Sequence, residues 1–205
     1  MPETRRTTLV KVCGLTRPED VDAAVEAGAD LVGFILVPWS PRAVDADTAA
    51  RLRERVPDGI ETVGVFVDED PDRVAAVQRM LGLDRVQLHG SEPPEVVERF
   101  GERAIKAYRL PHDGALVGST VLLDRAFGSE PSDADLAEHW AAARQEGERR
   151  RVLLAGALTP ENVGTAVRAA RPWAVDAVRG TEAAPGIKDH DRLRAFCAAA
   201  REAAT

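Results

Sequence analysis

Residues 9–36 read LVKVCGLTRPEDVDAAVEAGADLVGFIL, and this stretch decides the fold. Two short apolar runs, at 9–14 and 31–36, flank a segment with apolar residues at helical spacing. The apolar face of that segment begins at Val21, and Gly28 is suited to stop a helix. Short continuous apolar runs are typical of parallel strands buried on both faces. The stretch therefore predicts a strand, a helix and a second, parallel strand.

The same alternation continues to the end of the chain. Apolar runs occur at 9–14, 31–36, 62–67, 85–90, 104–108, 120–124, 151–156 and 174–180. Amphipathic stretches separate most of them. In the stretch after the seventh run, Thr159 predicts an N-cap and Pro160 the first helical position. Residues 110–119, LPHDGALVGS, predict one or two helical turns at most.

Eight strands of this kind are the number that closes a (β/α)8 barrel. An open, doubly wound sheet is the other architecture that strand–helix alternation allows, but the chain lacks a dinucleotide-binding fingerprint. We therefore predict an α/β protein of the TIM-barrel class, folded as a single compact domain over residues 1–205. No linker or low-complexity segment interrupts it.

Composition narrows the functional classes. The chain has 205 residues, a formal net charge of −7 at pH 7 and two cysteines. The acidic balance disfavours nucleic acid or an anionic membrane surface as the main partner. No apolar run approaches the roughly 20 residues that span a bilayer, and the first residues lack the apolar segment of a signal peptide. Two cysteines far apart disfavour a disulfide framework and favour the cytoplasm.

Residues suited to chemistry occur where the predicted strands end, on the face that carries active sites in this fold. They are Cys13, Arg42, His89, Asp124, Gly156, Arg179 and Gly180. A thiol at a strand end is suited to proton transfer if a neighbouring cation, such as Arg42 or Arg179, lowers its pKa. Asp124 follows the apolar residues TVLL, and such surroundings raise the pKa of a carboxyl group and retain its proton.

Each of these side chains also has a structural interpretation. Cys13 can serve as a small apolar residue of the core, and Asp124 can cap a turn. Arg42 can be a solvated loop charge, and His89 can be a hydrogen-bonded residue of the barrel rim. Gly156 and Gly180 can simply permit tight turns.

The other cysteine and the other histidines are assigned structural positions. Cys197 shares an apolar helical face with Leu193 and Phe196, which places it in the core. Three histidines in polar contexts are assigned to the surface: His112, His139 and His190. Their scatter gives no metal-ligand pattern.

The order of the motifs resembles one known family. The motifs KVCGLT, PWSPR, VQLHG, LLD, LAGALTPENV, VDAVRG and APGIKDHDRL follow one another as in the phosphoribosylanthranilate isomerase family, over about residues 10–196. The resemblance implies an Amadori rearrangement of N-(5-phosphoribosyl)anthranilate, with Cys13 as general base and Asp124 as general acid. It also implies a small phosphorylated aminosugar as substrate, no metal or organic cofactor, and a monomer or homodimer.

Further residues have binding roles under this resemblance. The guanidinium of Arg42 can form a bidentate pair with the anthranilate carboxylate. Gly156 and Gly180 are expected to form the phosphate-binding site, through backbone N–H groups of the loops after strands seven and eight. His89 and Asp176 are expected to border the substrate.

The chain departs from the family pattern after strands six, seven and eight. It reads Ala-Gly-Ala at 155–157 where the family has a Gly-Gly pair, and Val-Arg-Gly at 178–180 where the family has Ser-Ser-Gly. The loop after strand six is shorter and more acidic. Arg179 can replace the lost contacts with a full charge. The changes leave open an isomerase for a different aminosugar, or a non-catalytic ligand-binding barrel.

The phase of the first strand yields one further prediction. Lys11 lies two residues before Cys13, so both side chains point to the same side of the sheet. An interior lysine requires a partner, and barrel closure brings the eighth strand, with Asp176, beside the first. We predict a buried Lys11–Asp176 ion pair beneath the reacting centre. The alternative is that Lys11 extends to the lower rim.

Overall fold

The chain folds around a closed parallel barrel, seen in a computed structural model that describes residues 8–112, 114–125 and 131–204. The strands are β1 (Leu9–Cys13), β2 (Leu31–Ile35), β3 (Glu61–Phe66), β4 (Arg85–Leu88), β5 (Ala104–Leu110), β6 (Thr120–Arg125), β7 (Arg151–Leu154) and β8 (Ala174–Ala177). Each strand pairs in parallel with the next, and β8 pairs with β1. The predicted barrel is confirmed, and every predicted strand is present.

Helices surround the barrel. In the described parts of the chain they are α1 (Pro18–Glu26), α2 (Ala46–Arg53), α3 (Pro71–Leu81), α4 (Pro94–Phe100), α5 (Asp133–Gly147), α6 (Val163–Ala170) and α7 (His190–Ala203). Side chains cap several of their first turns. Asp45 and Asp70 accept backbone N–H groups at the starts of α2 and α3, and Ser132 forms a capping box with Asp135 at α5. Such caps satisfy donors that have no partner within a helix.

A small hairpin extends the chain between β8 and α7. A short 3₁₀ helix at Arg179–Thr181 leads into β9 (Glu182–Ala184), which pairs antiparallel with β10 (Ile187–Lys188). The Thr16 hydroxyl donates to the Gly186 carbonyl at 2.5 Å, so the hairpin packs against the loop after β1. The eighth strand, predicted over residues 174–180, is shorter than predicted, because β8 ends at Ala177.

Two connections differ from the sequence-based expectations. The predicted helix start at Thr159 and Pro160 is wrong, because α6 begins at Val163. The Asn162 side chain accepts the Thr159 N–H at 2.8 Å and so holds residues 159–162 as a turn. Between β5 and β6, the described residues of 110–119 form no helical turn.

Strand periodicity decides which side chains fill the barrel interior. An inward-facing apolar cluster contains Leu31, Val63, Ile105, Leu122, Leu153 and Ala174. Lys11 pairs with Leu31 in the β1–β2 register and is fully buried. Its Nζ donates to Asp176 Oδ1 at 2.8 Å, across the β1–β8 pairing. The predicted ion pair is confirmed, and the alternative position of Lys11 at the lower rim is wrong.

Candidate active site

A cavity of about 440 Å³ opens at the carboxyl ends of the barrel strands. Its wall includes all eight residues assigned to the site from sequence: Cys13, Arg42, His89, Asp124, Gly156, Asp176, Arg179 and Gly180. The strands of a closed parallel barrel all end on one face, so residues far apart in sequence meet there. The structure thus brings the predicted set together in one place.

Cys13 is the last residue of β1 and is 2% exposed. Its partner across the β1–β2 ladder is Gly33. A Cβ atom built on Gly33 would lie 2.6 Å from Cys13 Sγ, well inside van der Waals contact. The missing side chain on β2 therefore creates the space that the thiol occupies.

The ionisation of Cys13 is governed by burial and by lysines. Burial raises the pKa of Cys13, and the Lys11 and Lys188 ammonium groups oppose this rise. The expected lowering of this pKa by a neighbouring cation, such as Arg42 or Arg179, is not the net result, although Arg42 and Cys13 do interact electrostatically. Desolvation of the thiolate outweighs the field of the nearby cations, and the leading cations are the two lysines.

Asp124 and His89 form the opposite part of the cavity wall. Burial raises the pKa of Asp124, as the apolar residues before it predicted, although the Arg125 N–H donates to its Oδ1 at 2.8 Å. His89 Nε2 lies 3.9 Å from Asp124 Oδ2, and Gln87 Nε2 lies 2.8 Å from His89 Nδ1. Burial lowers the pKa of His89. Burial therefore favours the uncharged forms of both side chains.

Arg42 is anchored by an acid that the sequence analysis missed. Its Nε and Nη2 donate to the two carboxylate oxygens of Glu182, at 2.8 and 2.6 Å. The Gly186 N–H also donates to Glu182, at 3.2 Å, and Lys188 Nζ lies 3.6 Å from the same oxygen. Arg42 is therefore not a solvated loop charge. Glu182 lies two residues before the motif APGIKDHDRL, and only the folded hairpin reveals the contact of its carboxylate with Arg42 in the loop after β2.

In the loops after β7 and β8, Gly156 and Gly180 lie too close to other backbone segments to carry side chains. A Cβ on Gly156 would lie 2.9 Å from the Arg125 backbone nitrogen, and one on Gly180 would lie 2.0 Å from the Leu158 carbonyl oxygen. Ala157, at the departure from the Gly-Gly pattern, has a left-handed φ of 56°. Glycine adopts such a conformation with less strain.

The remaining cysteine and histidines divide between core and surface. Cys197 is buried and its pKa is raised by burial to about 11, which confirms the core assignment. The surface assignment of His139 is wrong: it is 5% exposed, and its Nε2 lies 3.0 Å from the Ala155 carbonyl oxygen. His190 is partly buried, 2.8 Å from Asp20, whereas His112 is exposed as predicted.

Two sequence-based expectations fall on residues outside the described ranges. These are the signal-peptide assessment, which depends on residues 1–7, and part of the altered loop after β6, residues 126–130. Within the described ranges, no group of three or more His, Cys, Asp or Glu side chains is arranged to hold a metal ion. None of the helices there is long and apolar enough to cross a membrane.

A family model described as N-(5'-phosphoribosyl)anthranilate (PRA) isomerase matches residues 10–199. The chain belongs to this family. The resemblance inferred from the ordered motifs is thereby confirmed.

Individual PRA isomerases support the same assignment. The N-(5'-phosphoribosyl)anthranilate isomerase of Trichlorobacter lovleyi is 42% identical, over 95% of this chain and 98% of its own. The crystal structure of the Thermotoga maritima enzyme is 34% identical with a TM-score of 0.84, covering 95% of this chain and 99% of that one. A PRA isomerase structure in complex with reduced 1-(o-carboxyphenylamino)-1-deoxyribulose 5-phosphate is 36% identical with a TM-score of 0.81, at 95% and 99% coverage.

Proposed function

We propose that this chain isomerises N-(5'-phosphoribosyl)anthranilate to 1-(2-carboxyphenylamino)-1-deoxyribulose 5-phosphate. The observation that carries the proposal is the position of Cys13 and Asp124 on the wall of one cavity, in a member of the PRA isomerase family. The reaction is an intramolecular transfer of hydrogen and needs no net oxidant or reductant. We assign it to the cytosol, because the free Cys13 thiol that it uses persists in a reducing compartment.

Asp124 is the general acid of the first step. Its protonated carboxyl transfers a proton to the ribose ring oxygen as the bond from that oxygen to C1 breaks. The electron pair on the anthranilate nitrogen forms the C1=N double bond, which leaves an open-chain Schiff base and an Asp124 carboxylate. Burial supports this role because it raises the pKa of Asp124 and keeps a proton available at higher pH.

Cys13 is the general base of the second step. Its thiolate removes the proton from C2, and the released electron pair forms a C1=C2 bond that neutralises the iminium nitrogen. The resulting enol then gains a proton at C1 and loses its hydroxyl proton at C2, which yields the ketone. Cys13 then gives up the proton it took from C2 and Asp124 regains the one it lost, by exchange with solvent, so no net proton is consumed. The Cys13 thiolate is the reactive form, although burial raises its pKa.

Arg42, Asp176 and His89 position the substrate around these two groups. Arg42 binds the anthranilate carboxylate through the N–H groups that Glu182 leaves available, since a guanidinium has five donors. Asp176 engages Lys11 through Oδ1, so its other carboxylate oxygen can accept a ribose hydroxyl. His89 borders the ribose beside Asp124.

The phosphate binds at the loops after β7 and β8, where Gly156 and Gly180 expose the backbone and Arg179 adds a positive charge. If this is correct, Arg179→Ala should weaken binding of the phosphorylated product about tenfold or more, because it removes a charged hydrogen bond of about 1.5–3 kcal/mol. Calorimetric titration with the product and with its dephosphorylated form measures the difference. Equal losses for both ligands would place the phosphate elsewhere.

The function is tested by adding the purified chain to freshly generated phosphoribosylanthranilate and following the loss of substrate fluorescence. Wild-type chain should accelerate this loss, and Cys13→Ser and Asp124→Asn should each reduce kcat about 10²–10⁴-fold. Cys197→Ser is the matched control, because Cys197 lies in the helical layer away from the cavity. No acceleration by the folded wild-type chain would refute the proposed function.

A further inference from the structure

Lys188 is a buried cation that the proposed reaction leaves without a role. Its side chain is fully buried in the hairpin after β8. Its Nζ donates to the Val178 carbonyl at 2.9 Å and lies 3.6 Å from a Glu182 oxygen. Arg42 makes two shorter bonds to the same carboxylate, at 2.8 and 2.6 Å. Lys188 therefore shares an acid that is already paired.

The charged groups that act on Cys13, or pair with one that does, come from several elements. In the described part of the chain they are Lys11 on β1, Arg42 in the loop after β2, Asp176 on β8, Glu182 on β9 and Lys188 on β10. Lys11 and Asp176 form one close pair, and Arg42 and Glu182 form another. These five groups carry three positive and two negative charges, so the positive charge of Lys188 is the excess.

The carboxylate that contacts the Lys188 backbone, that of Asp20, is already paired with other groups. The Lys188 backbone N–H donates to Asp20 at 3.2 Å, but Asp20 also accepts two hydrogen bonds from Arg17, at 2.9 and 2.7 Å. His190 Nε2 lies 2.8 Å from the same carboxylate.

A buried ammonium group that lacks its own counter-charge is costly. In the β1–β8 pairing Val12 lies opposite Ala177, so Val178, whose carbonyl accepts from Lys188 Nζ at 2.9 Å, follows beside Cys13 at the end of β1. The Cys13 thiolate is the anion that would balance the cluster.

We propose that the buried ammonium of Lys188 stabilises the thiolate form of Cys13 and so helps to set the pH at which Cys13 can remove a proton. The link to catalysis rests on the proposed function, in which Cys13 is the base. Lys188 is then a positioning residue, because it acts on the reaction through Cys13. Burial raises the pKa of Cys13 and lowers that of Lys188, and the charge of each partner opposes these shifts.

The rate at which iodoacetamide alkylates Cys13, followed by mass spectrometry as a function of pH, tests the proposal without any substrate. Lys188→Met should raise the midpoint of the pH profile by about one unit, so that alkylation below the midpoint slows about tenfold. Lys188→Arg retains the charge and should keep the midpoint close to that of the wild type. Cys197 does not interfere, because its pKa is about 11 and its peptide is distinct.

Two further variants separate charge from packing. Glu182→Gln removes a negative charge from the cluster and should lower the midpoint, opposite to Lys188→Met. Lys106→Met removes another buried lysine, which pairs with Glu92 at 3.1 Å and lines a different cavity, and should leave the midpoint unchanged.

An unchanged midpoint in folded Lys188→Met, or equal shifts in Lys188→Met and Lys188→Arg, would overturn the proposal. A shift in Lys106→Met as large as that in Lys188→Met would also overturn it. If Lys188→Met does not fold, Glu182→Gln decides: a lower midpoint supports the proposal, and an unchanged or higher one refutes it. The isomerase function is measured separately by substrate fluorescence, so its failure would not be confused with these outcomes.

Discussion

At the scale of single residues, Gly33 decides where the Cys13 thiol can lie. Gly33→Ala would place a Cβ atom 2.6 Å from Cys13 Sγ, so the thiol must move. A displacement of about 1 Å at a reacting group can cost about 10²-fold in rate. We therefore expect kcat to fall about 10²-fold in Gly33→Ala, with a smaller change in KM, as measured by steady-state kinetics.

The control for Gly33→Ala is Gly147→Ala at the end of α5. Among the described residues, a Cβ on Gly147 meets no atom within 4 Å, so this variant introduces the same methyl group without a clash. Its kcat should equal that of the wild type. Wild-type kcat in Gly33→Ala would show that the thiol has other space available, and the explanation of this glycine would be wrong.

The pH dependence of the reaction follows from Cys13 and Asp124 together. In the proposed reaction the active form has Cys13 deprotonated and Asp124 protonated, although burial raises the pKa of both groups. As pH rises, kcat/KM should increase up to the pKa of Asp124, where the gain in thiolate begins to be offset by the loss of the acid. It should then stay level, and fall above the pKa of Cys13.

Steady-state assays across this pH range locate the two limbs. The acidic limb should lie above the ordinary aspartate value of about 3.9, and the alkaline limb above the ordinary cysteine value of about 8.5. An acidic limb at the ordinary aspartate value would mean that Asp124 is solvated when it reacts. Such a result would contradict the role given to burial.

At the scale of secondary-structure elements, the Lys11–Asp176 pair joins the first and last strands inside the barrel. Asp176→Ala leaves the Lys11 charge without its partner, which typically costs about 3–5 kcal/mol. Urea unfolding should show this loss at neutral pH. Asp176 also lines the cavity, so its loss should lower activity for a second reason. The stability measurement, rather than activity, therefore tests the role of the ion pair.

The double variant Lys11→Met/Asp176→Leu provides the control. It replaces the pair with apolar side chains and leaves no unpaired charge in the interior, so it should recover much of the stability lost in Asp176→Ala. A double variant as unstable as Asp176→Ala would indicate that packing, rather than an unpaired charge, limits closure of the barrel.

At the scale of the whole molecule, buried histidines make the fold sensitive to acid. Burial lowers the pKa of His139 and of His89 in the folded state. Above the unfolded value of about 6.5 both states are neutral, and these residues add no pH dependence. Below it the unfolded chain takes up protons that the folded chain excludes, so stability falls as pH falls toward the folded pKa.

His139→Gln tests the contribution of His139 to this pH dependence. Gln does not titrate, but it can still donate a hydrogen bond to the Ala155 carbonyl. Between pH 6.5 and 5 the wild type should lose up to about 2 kcal/mol more stability than this variant, at up to about 1.4 kcal/mol per pH unit. Urea unfolding at several pH values measures both slopes. Parallel slopes for the two proteins would exclude His139 as the titrating group.

The sequence by itself determined the barrel and the place of the site. Short apolar runs and helical periodicity are local patterns, and eight of them in alternation leave few architectures. The Lys11–Asp176 pair followed from the same local rule, because the two-residue period of β1 and closure against β8 place both side chains inside.

Only the tertiary structure decided which side chains of the site contact one another. The Glu182 carboxylate bound to Arg42, the excess charge of Lys188, the buried position of His139 and the late start of α6 were all absent from the sequence-based description. A helix or strand depends on neighbours within a few residues. Burial and ion pairing depend instead on distances between segments far apart in sequence. Arg42 and Glu182 are 140 positions apart and Lys11 and Asp176 are 165 apart, and their contacts exist only once the chain has folded.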